Sequence, residues 1–224
     1  MIKIEHLKVM NMEATIRGMR NPWDSWNKSD SVASGTLYKL YDGTEIMTDN
    51  GFEVGEKDME LMKKLYKGGS VHAKYLRQIF VSFDVIAPLY WWKEFDTYKV
   101  GTTSNSCSTM HTLDKRDLTI DDFSHEHLSS KSIDVLRKTI DIINGYRSLY
   151  AYGGNAFEKG NKEFWWQMIQ LLPSSYNQRR TISMSYENLT NIIRWRKDHK
   201  LDEWKEFCAY MLDNCPYLKD IMGE

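Results

Sequence analysis

The chain has 224 residues, 42% of them hydrophobic and 27% charged. That is enough apolar sequence for one sizeable core, most simply a single α/β domain over 1–224. Thirty Lys and Arg stand against 31 Asp and Glu, a formal net charge of −1, which argues against a broad nucleic-acid or anionic-membrane surface but leaves room for a local pocket for a small anion. No apolar run reaches the length needed to span a bilayer, and the opening Met1-Ile-Lys-Ile-Glu-His lacks the apolar core of a signal peptide. Cys107, Cys208 and Cys215 are too few and too odd in number for a disulfide framework. A cytoplasmic protein is expected, without membrane or nucleic-acid partners.

In chain order, Ile2, Ile4, Leu7 and Val9 predict a first strand within 2–10. Residues 11–31 then gather Arg17, Arg20, Trp23 and Trp26 around Pro22. Two readings stand open there: a basic lid over a phosphate, or arginines paired with Glu13 or Asp24. Tyr38 to Met47, around Asp42-Gly43, predicts a hairpin. Glu56 to Tyr66 reads as a helix that buries Met59, Met62 and Leu65 or Tyr66 and stops at Gly68-Gly69.

Phe80 to Val85 reads as a strand, and Pro88 as the first residue of an aromatic-rich amphipathic helix reaching Tyr98. Gly101 to Ser108 follows. Six of its eight residues are Ser, Thr or Asn, so it reads as a loop whose hydroxyls, amides and open N–H groups suit phosphates or a polar ring. Leu113 to Leu128 holds His125 and His127, whose spacing suits a metal only from a strand; a solvated loop and no metal site are expected.

Ile133, Leu136, Ile140 and Ile143 mark a helix ending near Asn144-Gly145 or at Gly153-Gly154, and Asn161 to Leu172 a second one. Leu189, Ile192, Ile193 and Arg196 share one face of a third helix. Trp204, Phe207, Cys208, Met211 and Leu212 line the last, which ends at Cys215-Pro216. Arg179 and Arg180 fall on a strand or loop after Tyr176, where only one of two neighbours can face a pocket. Trp91, Trp92, Trp165 and Trp166, on presumed outer helical faces, suit either an oligomer interface or a core.

From His72 to His111 the sequence resembles the flavin-dependent (alternative) thymidylate synthases. Their pattern His-x-Ser-x-Phe-Glu-His-x-x-Phe-x-Phe-x-Ile-x-Gly places its His on His72, its apolar strand positions on Val81, Phe83 and Val85, and its turn residue on Ala87. The family signature Arg-His-Arg-x-x-Ser-x-Asn-Glu-Gln-Ser-x-Arg-Tyr then falls on Tyr98 to His111, with Thr103 for its first Ser and with Asn105 and Ser108 matching. Tyr98-Lys99-Val100 stands for Arg-His-Arg, and Ser106-Cys107 for Glu-Gln. The likeness resumes at Leu172-Pro173 and runs to Trp204, where Arg196 meets the family's Leu-Arg arginine, and Glu187 replaces an arginine that meets nucleotide.

This resemblance implies an α/β (α+β) fold with a twisted, mainly antiparallel sheet flanked by helices. It implies FAD held between the subunits of a homotetramer, and methylation of dUMP to dTMP with NADPH and methylenetetrahydrofolate, without a cysteine nucleophile. It also implies cofactor contacts from His72, Lys99, Thr103, Asn105, Arg196 and His199, and substrate contacts from Arg17, Arg20, Ser106 and Ser108. A non-catalytic flavin- or nucleotide-binding relative is the alternative, and an interaction protein that merely shares the fold is a third reading.

Overall fold

The structure, a computed structural model, describes residues 2–39, 45–154 and 156–224, without the side chains of 34–39 and 45–50. Its centre is a four-stranded antiparallel sheet in the order β1-β4-β6-β5, formed by β1 (Lys3–Met10), β4 (Phe80–Pro88), β6 (Asn177–Ser185) and β5 (Thr102–Ser106). Along β4 the side chains alternate. Val81, Phe83, Val85 and Ala87 are buried on one face, while Ser82, Asp84 and Ile86 point to the other, as a half-covered antiparallel sheet requires.

The helices pack on the buried face. These are α1 (Met12–Arg20), α2 (Glu56–Lys67), α3 (Leu89–Phe95), α7 (Tyr186–Arg196), α8 (Asp202–Asn214) and α9 (Leu218–Met222), and their apolar residues share one cluster with Val81, Phe83, Ile182 and Met184. A second cluster joins Leu113, Leu118 and Phe123 to α5 (Ser130–Tyr152) and α6 (Lys162–Leu171). There Asn144 bonds both the N–H and the C=O of Leu118, at 2.8 and 2.9 Å. The helix through Ile143 therefore runs past Asn144-Gly145 and stops at Gly153, whose φ of 73° breaks it.

The expected hairpin is longer than its pattern. β2 (Val32–Lys39) pairs with β3 (Glu45–Glu53) from Val32↔Glu53 to Lys39↔Glu45, and the Asp42-Gly43 turn lies outside the described residues. Three expectations are corrected. The Gly101–Ser108 loop contains strand β5, because β6 supplies hydrogen-bonding partners from Arg180 to Met184. Helix α3 ends at Phe95, and Pro88 closes β4 at φ −67°, ψ 151°, as the helix cap instead of its first residue.

Trp91 and Trp92 are core residues, 0% and 1% exposed. Trp91 lies 4.6 Å from the Trp204 ring and 5.1 Å from Phe95, and the Trp92 indole donates to the Gln178 carbonyl at 3.0 Å. The short α3 buries Trp91, Trp92 and Phe95 between the sheet and α8 and leaves Lys93 exposed. Among the described residues no helix is long and apolar enough to cross a membrane.

Candidate functional site

The residues of β5 are held at both ends. Asn188 of α7 donates to the Val100 carbonyl at 2.7 Å and to Thr102 Oγ1 at 3.1 Å. At the other end Gln178 donates to the Cys107 carbonyl, and Cys107 N–H to the Arg179 carbonyl, each at 2.9 Å. The pleat then divides the polar side chains. Thr103, opposite Ser183, and Asn105, opposite Thr181, belong to the open face of the sheet. Thr102, Ser104 and Ser106 belong to the other face, Ser106 opposite Arg180, and Ser108 caps the short helix α4 (Thr109–Thr112).

Three arginines near these strands are engaged inside the chain. Arg179 bonds Glu5 at 2.7 Å and Asp84 at 3.4 Å on the open face. Arg180 turns to the helical side, pairs with Asp96 at 2.7 Å and stacks over the Trp92 ring at 4.3 Å. Arg196 points inward as its helical stripe implies, and meets Glu94 and the Tyr98 hydroxyl at 2.8 Å each. His199 and the Trp204 indole reach the same Glu94 oxygen at 3.4 and 3.1 Å. Arg196 and His199, expected at a cofactor, tie α3 to α7 and α8 through Glu94.

Arg20, expected at substrate, is likewise structural. It is 5% exposed and pairs with the fully buried Asp58 at 2.5 Å. Asp58 also accepts from the Ser29 and Ser31 hydroxyls at 2.5 and 2.6 Å. Burial alone would raise its pKa, but the Ser29, Ser31 and Arg20 hydrogen bonds prevail and hold the carboxyl below its ordinary range. The partner is neither Glu13 nor Asp24, because α1 packs beside α2 and Asp58 faces that contact. Arg17, one turn earlier, stays exposed and, among the described residues, has no ion-pair partner.

His72 lies on an exposed turn ahead of a 3-10 segment, Ala73–Arg77. Two cavities flank this turn. One, of about 440 Å³, is bounded by Trp23, Leu65, Val71, His72, Lys74 and Gln78. The other, of about 310 Å³, lies between the turn and α7, with Tyr66, Ser70, Glu187, Asn188 and Arg194 in its walls. Asn188 is the residue that also anchors the start of β5, so the His72 turn, α7 and the Lys99 end of β5 meet at one corner.

Three cations at that corner escaped the sequence reading: Lys74, Arg77 and Arg194. Arg77 pairs with Glu187 at 2.7 Å. In the motif anchored on His72 the acidic position falls on Arg77, and the later arginine position falls on Glu187; both signs are reversed, and the two residues meet. That double reversal was the signal available in the sequence. Arg194 bonds the Tyr66 hydroxyl at 3.1 Å. Among the described residues neither Lys74, Lys99 nor Arg194 meets a carboxylate.

Nucleophiles and metal ligands are scarce. Burial pushes the Cys208 and Cys215 thiols up to about 12, and Cys107 Sγ is exposed beside Thr112 Oγ1 at 3.8 Å. His125 contacts the Phe123 carbonyl and His127 faces Asp202. Among the described residues no group of three His, Cys, Asp or Glu could hold a metal ion.

Two solved structures of ThyX, the flavin-dependent thymidylate synthase from Helicobacter pylori, both with FAD and dUMP, superimpose on the whole chain. The first has a TM-score of 0.65 at 16% identity, covering 100% of this chain and 98% of the other. The second has a TM-score of 0.63 at 16% identity, covering 100% and 97%. The fold is that of a flavin-dependent thymidylate synthase. No protein-family model and no curated protein matches the sequence, so the likeness to ThyX is carried by shape, over the full length.

Proposed function

We propose that this protein is a single-domain, ThyX-like flavoprotein that binds FAD and a dUMP-class nucleotide, as a cytoplasmic homotetramer with its sites between subunits. The carrying observation is the corner around the His72 turn, where Lys74 lines one cavity, Arg194 lines the other and Lys99 precedes the strand that Asn188 anchors, none of them meeting a carboxylate among the described residues. These cations suit a pyrophosphate, whose charge needs them more than it needs hydroxyls. Thr103 and Asn105, neutral donors and acceptors on the open face of β5, suit the edge of a flavin or pyrimidine ring, and Ser106 and Ser108 suit the nucleotide. The residues therefore fit the cofactor, with a thinner set of charges than the family signature supplies.

Bound flavin would supply hydride chemistry for methylating dUMP to dTMP, with NADPH as reductant and methylenetetrahydrofolate as carbon source. The chain's part is to bind and orient. Lys99 and Lys74 hold anionic groups, His72 shields one flank, and Asn188 fixes the strand that carries Thr103 and Asn105. At this corner a guanidinium that polarises a pyrimidine carbonyl would have to come from Arg194, since Arg20, Arg77, Arg179, Arg180 and Arg196 are each held by an internal carboxylate. That same observation favours a second reading, a relative that binds flavin and nucleotide without turnover.

The visible absorbance spectrum of the purified protein and a calorimetric titration with FAD test the binding, and complementation of a thymidine-requiring strain tests the turnover. Flavin bound without complementation selects the second reading. A colourless protein that ignores FAD overturns both.

A further inference from the structure

The cavity between the His72 turn and α7 has an uneven wall. Its volume, about 310 Å³, lies at the small end of the usual range for small-molecule sites, roughly 300–1,000 Å³. It suits one nucleotide better than the two joined in FAD, which leaves the flavin to the larger cavity lined by Lys74. From α7 the wall is built by Glu187, Asn188, Thr190, Asn191 and Arg194, and at its Glu187 end the hydrogen-bonding groups can only accept. We propose that this cavity selects a nucleotide whose base carries an exocyclic amino group, deoxycytidine monophosphate (dCMP), over dUMP, and that Glu187 is the selecting residue. This selectivity rests on the nucleotide reading of the corner and narrows its base.

The acceptors are left over from bonds already made. One Glu187 oxygen accepts from the Arg77 guanidinium at 2.7 Å, and the other has no partner among the described residues. Asn188 donates from its amide nitrogen to both the Val100 carbonyl and Thr102 Oγ1, so its carbonyl oxygen is what remains for a ligand. Thr190, 3% exposed, donates its hydroxyl proton to the Glu187 carbonyl at 2.9 Å. Among these three side chains no polar hydrogen is free.

Donors return at the other end of the wall. Arg194 lies two turns on from Glu187, about 10 Å along the helix and close to the same face, and one of its nitrogens donates to the Tyr66 hydroxyl at 3.1 Å, which leaves the rest of the guanidinium for a ligand. The two long side chains leave room for a flat ring between them, with an acceptor at one end and a donor at the other. Uracil carries a carbonyl at both ends, so one of its oxygens would meet a carboxylate lone pair. Cytosine carries a carbonyl at one end and an amino group at the other, the group from which Glu and Asp accept when they read that base. Asn191, between the two, has no partner among the described residues and offers its amide to the ring nitrogen of either base.

Calorimetric titration of the full chain with dCMP, dUMP, dAMP and FAD tests the selectivity. dCMP is expected to bind about tenfold or more tightly than dUMP, the difference that one charged hydrogen bond makes. Glu187→Gln should bring the two affinities together, weakening dCMP and strengthening dUMP, because its amide can donate to a carbonyl. A merely structural role through the Arg77 pair would lower Tm and leave the ratio of the two affinities as it was. Lys74→Ala, in the other cavity, should lower FAD affinity and keep that ratio. dUMP bound as tightly as dCMP, or a ratio that Glu187→Gln does not change, overturns the proposal. So does dAMP bound more tightly than dCMP together with FAD affinity that falls in Glu187→Gln, since the carboxylate then serves the adenine of the cofactor. FAD bound without either pyrimidine nucleotide overturns the selectivity and spares the flavin reading, whereas a protein that binds none of the four overturns both.

Discussion

At the scale of single residues, the arginines of this chain divide by what faces them. Arg196 was legible as inward-pointing from the stripe of α7, and Arg20 was left open between a phosphate lid and an internal ion pair, because an arginine reads alike whether a ligand or a carboxylate meets it. The deciding residues, Asp58 and Glu94, lie 38 and 102 positions away. Arg20→Ala leaves Asp58 buried and without its cation, a change that costs about 3–5 kcal/mol. For a chain of this size it should lower Tm by roughly 6–12 °C or more in a thermal melt. Because the folded-state pKa of Asp58 is depressed, its contribution is present above the unfolded value near 4 and fades as pH falls through the folded one. The stability gap between wild type and Asp58→Asn should therefore be widest at neutral pH and shrink below about pH 4, as denaturant titrations at several pH values would reveal. Arg196→Ala should remove about 1.5–3 kcal/mol through its charged bonds to Glu94 and Tyr98. Unchanged FAD affinity alongside that loss would confirm a structural role, whereas weakened FAD binding at unchanged Tm would restore it to the site.

At the scale of elements, what the sequence hid is instructive. β5 carries no apolar alternation because four of its five residues are exposed. It is a strand only because β6, some 80 residues later, presents a complementary edge, and no local pattern reports that. α3 failed in the opposite sense, since Trp91 and Trp92, read as residues of outer faces, are both buried, as is Phe95. By contrast β4, α5 and α7 followed their periodicity closely, each having one clear buried side. The anchoring of β5 rests on Asn188. Asn188→Ala should cost only about 1 kcal/mol of global stability, yet raise amide exchange at Thr102 and Thr103 and lower FAD affinity. If exchange rises and FAD affinity holds, β5 is not part of the flavin site. Of the candidate site itself, His72 and Lys99 were legible through the resemblance, whereas Lys74 and Arg194 were not, because nothing in sequence reveals which lysine or arginine will end without a carboxylate.

At the scale of the molecule, the open face of the sheet holds Glu5, Asp84, Arg179 and Thr181 in one hydrogen-bonded row, with Met10 and Phe80 46% and 47% exposed at one end. A second subunit covering this face would complete a site to which one chain brings Thr103 and Asn105. Light scattering at micromolar concentration should give about four times the chain mass, and a clean monomer would remove the shared-site argument. The strand order also governs how the chain reaches this shape. Ser82 and Ser183, neighbours across the sheet, are 101 positions apart, and Glu5 and Arg179 are 174 apart, so the central pairing closes very long loops before any strand contact stabilises them. Helices α5 and α6, by contrast, meet within a short span. Pulse-labelled hydrogen exchange during refolding should find α5 amides protected early and the β1, β4 and β6 amides protected together and late. During synthesis β1 can pair with β4 and β2 with β3, but the second edge of β4 and the whole of β5 stay unpaired or mispaired until β6 has left the ribosome, which makes the interval before residue 185 emerges the period in which this chain most needs a chaperone.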